Sequence, residues 1–232
     1  MVNQNNARLN AATRLVCRFV PEFRVIQKSG SLFHKVVGVL FGLIGNKAYM
    51  HQFWTTINYT TAAPKCYDDG YDAESWKTVL HEGWHAIQRK KYGIWFPIGY
   101  LFPQVLGIVG IICNVALLSV GWWTPWVLIP LAFLLPLPAP FRALWEWEAY
   151  KISIACDFWH WGDIKEKALP KYVSGWLVAN FTGPSYYFMW PFRGMIERES
   201  YLFIERLKRA NVPIDLYLNE CRTLCVSHRK KS

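Results

Sequence analysis

The chain has 232 residues, a formal net charge of +10, 53% apolar residues and only 18% charged ones. That length suits one domain of ordinary size, with or without appendages. A basic balance serves nucleic acid or an anionic membrane equally well, but the low charged fraction and the 13 Trp, 12 Tyr and 14 Phe tilt the choice toward the membrane.

Residues 1–12 are polar and read as a frayed terminus, followed by a short basic amphipathic helix from Arg14 to Phe23. The first thirty residues lack the unbroken apolar core of a conventional signal peptide. The run "VVGVLFGLIG" (36–45) is too short to span a bilayer and reads as buried or interfacial. "QFWTTINYTT" (52–61) has the β-branched and aromatic content of one or two strands. Pro64 and "DDG" (68–70) mark a turn, and Asp72 is a candidate N-cap for a helix reaching about Lys90.

From Tyr92 to Phe141 no Asp, Glu, Lys, Arg or His occurs across 50 residues. "LFPQVLGIVGIICNVALLSV" (101–120) is long enough for a transmembrane helix, while "WVLIPLAFLLPLPAPF" (126–141) is shorter and proline-rich. Between them "GWWTPW" (121–126) reads as an interfacial turn. A membrane-inserted hairpin follows, re-entrant or fully spanning. Its outer flanks, Arg89, Lys90, Lys91 and Arg142, place both ends in the cytoplasm by the positive-inside rule.

Beyond it, Arg142 to about Trp161 reads as an aromatic-rich helix. "VSGWLVANFTGPSYYFMWPF" (173–192) is a broken apolar block, residues 193–212 form an amphipathic helix, and "CRTLCVSHRKKS" is a basic, flexible tail. Cysteines at 17, 66, 113, 156, 221 and 225 make no CxxC pair, so reduced thiols are expected rather than a disulfide scaffold. The fold class expected is an α-rich α+β protein: a small zincin-like core with a hydrophobic helical hairpin. Its regions are 1–50 (basic, amphipathic and apolar helices), 51–91 (edge strand and motif helix), 92–141 (hairpin) and 142–232 (third-ligand helix and basic helical end).

The chemistry lies in "TVLHEGWHAIQRKK" (78–91). On a helix His81 and His85 project from one face a turn apart and can reach one ion. Glu82 sits beside them, within reach of a water on that ion. Imidazole and carboxylate ligands with one open position suit Zn2+. A third ligand is needed, and "EWEAY" after the hairpin offers Glu148, 63 residues beyond His85. Glu146 is the rival, about 200° around the same helix. Asp157, His160 and Asp163 are weaker options. Gln88 either borders the histidine face or is a solvent-exposed glutamine, and Tyr150 is a candidate oxyanion donor.

"HEGWH" with a downstream helix-borne glutamate in "EWEAYKISIACD" resembles the gluzincin zinc metallopeptidases. The resemblance implies His81, His85 and Glu148 as zinc ligands and Glu82 as general base. It also implies that "FWTTINYTT" is similar to the edge strand that aligns a peptide substrate in zincins. The chain departs from that group in the hairpin between the ligands and in Ile152, where a supporting Asp would stand four residues after Glu148. A metzincin would need His at position 91, which is Lys91.

These readings imply a membrane-associated zinc endopeptidase, its catalytic side cytoplasmic, acting on a peptide or protein and touching anionic lipids. No nucleic-acid module, internal repeat, Walker motif or Rossmann motif is present. The alternatives are a non-enzymatic membrane-inserting structural or pore-forming protein, of the kind found in a virus or phage particle, and a metal-dependent lipid hydrolase.

Overall fold

The computed structural model describes residues 2–27, 51–53, 56–59, 75–119, 129–133, 135, 137–162, 164, 168–183, 188–212 and 215–227. The expected segment 36–45, the turn residues 64–72, the turn 121–126 and Asp163 lie outside these. Among the described residues the fold is almost entirely α-helical, which corrects the α+β expectation. Three short strands occur: β1 (Arg24–Gln27), β2 (His51–Phe53) and β3 (Thr56–Tyr59). β3 is central, parallel to β1 and antiparallel to β2. Both sides of Thr56–Tyr59 are thus hydrogen-bonded to neighbours, so that strand is not the free edge the zincin resemblance implied.

The chain divides into two compact units. The first comprises Met1–Lys91, Lys151–Asp163 and Pro213–Ser232. Helix α1 (Val2–Phe19) begins well before Arg14, so the N-terminal region is helical rather than frayed. Its apolar positions Ala12, Leu15 and Val16 follow helical spacing and are buried. α1 packs against the C-terminal helix, where Phe19 meets Tyr217 edge-on at 5.1 Å. The motif helix α2 (Ser75–Tyr92) buries Trp76, Val79, Leu80 and Ala86. Its last turn carries Arg89, Lys90 and Lys91, which complement the carbonyl end of the helix dipole. Gly93, at φ +57, ends it.

The second unit comprises Tyr92–Tyr150 and Ile164–Val212. Helix α3 (Trp95–Leu101) and helix α4 (Gln104–Ser119) are bent by 89° at the break between them. Pro103 lacks the N–H needed to continue a helix, so the expected single span 101–120 is interrupted. The 16 residues of α4 reach about 24 Å, short of the roughly 30 Å of a hydrocarbon core. Among the described residues no single helix is long and apolar enough to cross a membrane, but the bent pair passes by length and composition. A short helix α5 (Ile129–Ala132) returns along α4. A Cβ on Gly110 would lie 2.2 Å from the Pro130 ring, so only glycine permits that approach.

Pro140, at the first position favoured by proline, starts the 22-residue helix α6 (Pro140–Trp161). It matches the expected 142–161 helix. A π-helical segment (Lys171–Leu177) continues into α7 (Val178–Thr182). Gly183 closes α7, because a Cβ there would meet the Ala179 carbonyl oxygen at 2.4 Å. Helix α8 (Arg193–Lys208) follows. In the first unit, α9 (Leu216–Ser227) takes in residues 221–227 of the expected flexible tail, and its Cys221 and Cys225, one turn apart, are fully buried; residues 228–232 lie outside the described residues.

Candidate metal centre

His81 and His85 are one turn apart on α2, and their rings lie 5.1 Å apart at 80°. Both are buried. Gln88 Oε1 lies 2.8 Å from His85 Nδ1. A carbonyl oxygen can only accept, so this contact sets the proton on Nδ1 and leaves the Nε2 lone pair to ligate. His81 Nδ1 lies 3.0 Å from Ser153 Oγ, and the same tautomer has the ring donating to the hydroxyl. Gln88 is therefore a buried partner of the site rather than an exposed side chain.

Ser153 fixes the register of α6 against the motif helix. Seven residues before it on α6, nearly two full turns and so on the same face, stands Glu146. Its carboxylate joins the two histidines: the ligand atoms of His81, His85 and Glu146 all lie within 4.8 Å of one another. This is an HExxH-plus-glutamate cluster matching a gluzincin-like metal site. It is built as in the zinc-binding catalytic sites typical of metallopeptidases.

Glu148 is not in that group. It lies about 200° around α6 from Glu146 and is half-buried. The face of α6 that carries Arg142, Glu146, Ala149, Ser153, Cys156 and His160 is buried, whereas Phe141 and Leu144 are 50% and 54% exposed. The rotation of α6 therefore gives Glu146 the place expected for Glu148. The weaker alternatives are engaged elsewhere. Asp157 accepts from Lys77 Nζ at 2.5 Å, and His160 packs edge-on against Trp76 at 5.5 Å. Tyr150, a candidate oxyanion donor, stacks among Trp176 and Phe181. Glu82, beside His81, is buried and outside the ligand group.

The donor set suits a divalent cation. A buried carboxylate facing two imidazoles is costly to keep in a low dielectric without a compensating positive charge. Ligand atoms around one zinc ion lie about 3.3 Å apart, so a group already within 4.8 Å closes on an ion by small side-chain adjustments. Tyr100 is the site residue that sequence reasoning passed over: its hydroxyl donates to Glu146 Oε1. The signal available was a phenol inside an otherwise uncharged apolar run. Arg142, expected as a cytoplasmic flank of the hairpin, is instead buried, with Nε donating to the Tyr100 carbonyl at 2.7 Å.

Compared with known protein families, curated proteins and solved structures, the chain matches none.

Proposed function

We propose that the protein is a membrane-associated, zinc-dependent endopeptidase. The observation that carries this reading is the convergence of Glu146 with His81 and His85. Bound there, Zn2+ would acidify a water and polarise a substrate carbonyl. His81 and His85 supply Nε2, each ring oriented through its Nδ1 contact with Ser153 or Gln88. Glu82 is the general base: a carboxylate oxygen takes the proton from the attacking water and returns it to the departing amine nitrogen.

The membrane part of the reading rests on the second unit. Trp95 is 71% exposed, and Ile112 and Val115 are each 63% exposed. Leu106 and Val109 are also exposed, so Leu106, Val109, Ile112 and Val115 form a row at three-residue spacing on α4, and Trp95 lies on α3. A lipid surface suits such a face better than water does. The cytoplasmic orientation now rests on Arg89, Lys90 and Lys91, since Arg142 is buried. Tethering the site at a bilayer would raise the effective concentration of membrane-held peptide substrates. A purely structural membrane-inserting protein would account for the apolar face but not for the buried His–His–Glu group.

The test is metal content and peptide hydrolysis in protein purified without added zinc. Wild type should carry close to one zinc per chain and cleave a denatured protein substrate. Glu82→Gln should keep the metal and lose nearly all hydrolysis, and His81→Ala should lose both. Unchanged hydrolysis in Glu82→Gln would sink the proposed mechanism.

A further inference from the structure

Four residues after Glu146, where the gluzincin resemblance would put a supporting Asp, stands Tyr150. The second unit supplies a different support. Tyr100 on α3 donates its hydroxyl hydrogen to Glu146 Oε1. The Tyr100 backbone carbonyl accepts from Arg142 Nε at 2.7 Å, and the Arg142 guanidinium lies over the Tyr100 ring at 5.2 Å. Arg142 Nη2 donates to Gln104 Oε1 at 3.1 Å. Gln104 Nε2 in turn reaches the carbonyls of Leu135 and Leu137, each at 3.5 Å. Arg142, Gln104 and Glu146 are all buried.

We propose that Tyr100 is a positioning residue for the metal centre, and that Arg142 and Gln104 tie its hold on Glu146 to the bend between α3 and α4. The proposal rests on the metal reading above and adds how its third ligand is held. A carboxylate rotates about its last bond and can offer either oxygen. With Oε1 held by the phenol, Oε2 is left for a metal and the carboxylate plane is fixed before the ion arrives. Surroundings of low dielectric make the hydrogen bond stronger and its loss more costly. Tyr100 and Gln104 both lie in the 50-residue uncharged run, and both belong to this chain of contacts. The same short helix carries Trp95, Ile98 and Leu101, all exposed. A change in what covers that apolar face is therefore transmitted to Glu146 through Tyr100.

The experiment uses the full chain in detergent or bilayer discs. Zinc affinity is measured by competition with a chromophoric chelator, and the visible spectrum of the Co2+-substituted protein reports coordination. Tyr100→Phe removes one hydroxyl while keeping the ring against Phe96 and Arg142, so folding is preserved and is checked by circular dichroism. Its zinc affinity should fall roughly 10- to 100-fold, the range for an outer-shell partner, with an altered Co2+ spectrum. Gln104→Ala, which touches no ligand, should lower affinity in the same direction. The double variant should lose less than the product of the two single effects, because both act through one chain of contacts. Wild-type affinity and an unchanged Co2+ spectrum in Tyr100→Phe would overturn the proposal and leave the metal site standing. A wild-type chain that binds no zinc would overturn the metal reading and this proposal together.

Discussion

Gly83 lies between the two histidines of "HEGWH" and faces the packing of α1 and α9. A Cβ at this position would sit 2.4 and 2.9 Å from the two Val16 methyl carbons and 2.7 Å from the Tyr217 hydroxyl oxygen. That hydroxyl donates to the Leu80 carbonyl at 2.7 Å, so it cannot retreat without breaking its bond. Gly83→Ala should gain about 1 kcal/mol from helix propensity. Against that stand about 2 kcal/mol for overpacking and about 1 kcal/mol for the strained or lost hydrogen bond. The net expectation is destabilisation by about 2 kcal/mol, a fall of about 1 M in the urea midpoint followed by circular dichroism. Two of the three close atoms belong to Val16. Adding Val16→Ala should therefore cost less in the Gly83→Ala background than in wild type, with a coupling of about 1 kcal/mol. A Gly83→Ala protein as stable as wild type, or strictly additive effects of the two substitutions, would refute the packing argument.

Further expectations follow from the metal centre and its surroundings. Glu146→Ala should weaken zinc binding by roughly 100-fold or more, beyond the effect of losing an outer-shell partner. Glu148→Ala should leave it within a few-fold, and the reverse order would restore Glu148 as the ligand. Gln88→Leu and Ser153→Ala should each weaken zinc binding by roughly 10-fold or more while preserving the fold. Equal affinities to wild type would show that the Nδ1 contacts do not orient the rings. Thiol hydrogen bonds from Cys221 and Cys225 hold Cys156 down to about 5, below the ordinary thiol value of 9.0. The unfolded chain then binds the extra proton between those values, so Cys156 contributes stability that rises with pH across that window and is lost as pH falls through 5. Denaturation midpoints at pH 6 and pH 8 should therefore differ more in wild type than in Cys156→Ser; identical pH dependence would rule this out. Replacing Val109 and Ile112 together by Glu should release the protein from membranes in alkaline carbonate with zinc content unchanged. Retention of that variant in the membrane pellet would remove α4 as the lipid-facing element.

Local geometry made half of the metal centre legible. Two histidines four apart on a helix must share a face, whatever the rest of the fold does, and the breaks around α2 and α6 follow from Gly93 and Pro140. The uncharged run from Tyr92 to Phe141 likewise announced an apolar element before any packing was known. Tertiary structure decided which glutamate joins the two histidines. Glu146 and Glu148 are two residues apart, so they point in nearly opposite directions, and only the rotation of α6 about its axis selects between them. That rotation is set by the buried face running from Arg142 through Ser153 to His160, with Phe141 and Leu144 turned outward. Sequence rules that send apolar residues inward give no warning that Arg142, Glu146, Ser153 and His160 are buried along with them. The Tyr100 hydroxyl was equally hidden, because it reaches Glu146 from 46 residues away in the chain. The strands around Thr56–Tyr59 were read correctly as strands, yet their pairing put that stretch in the middle of the small sheet, and helices dominate the fold. Propensity is a property of a segment, whereas being an edge depends on which neighbours hydrogen-bond to it.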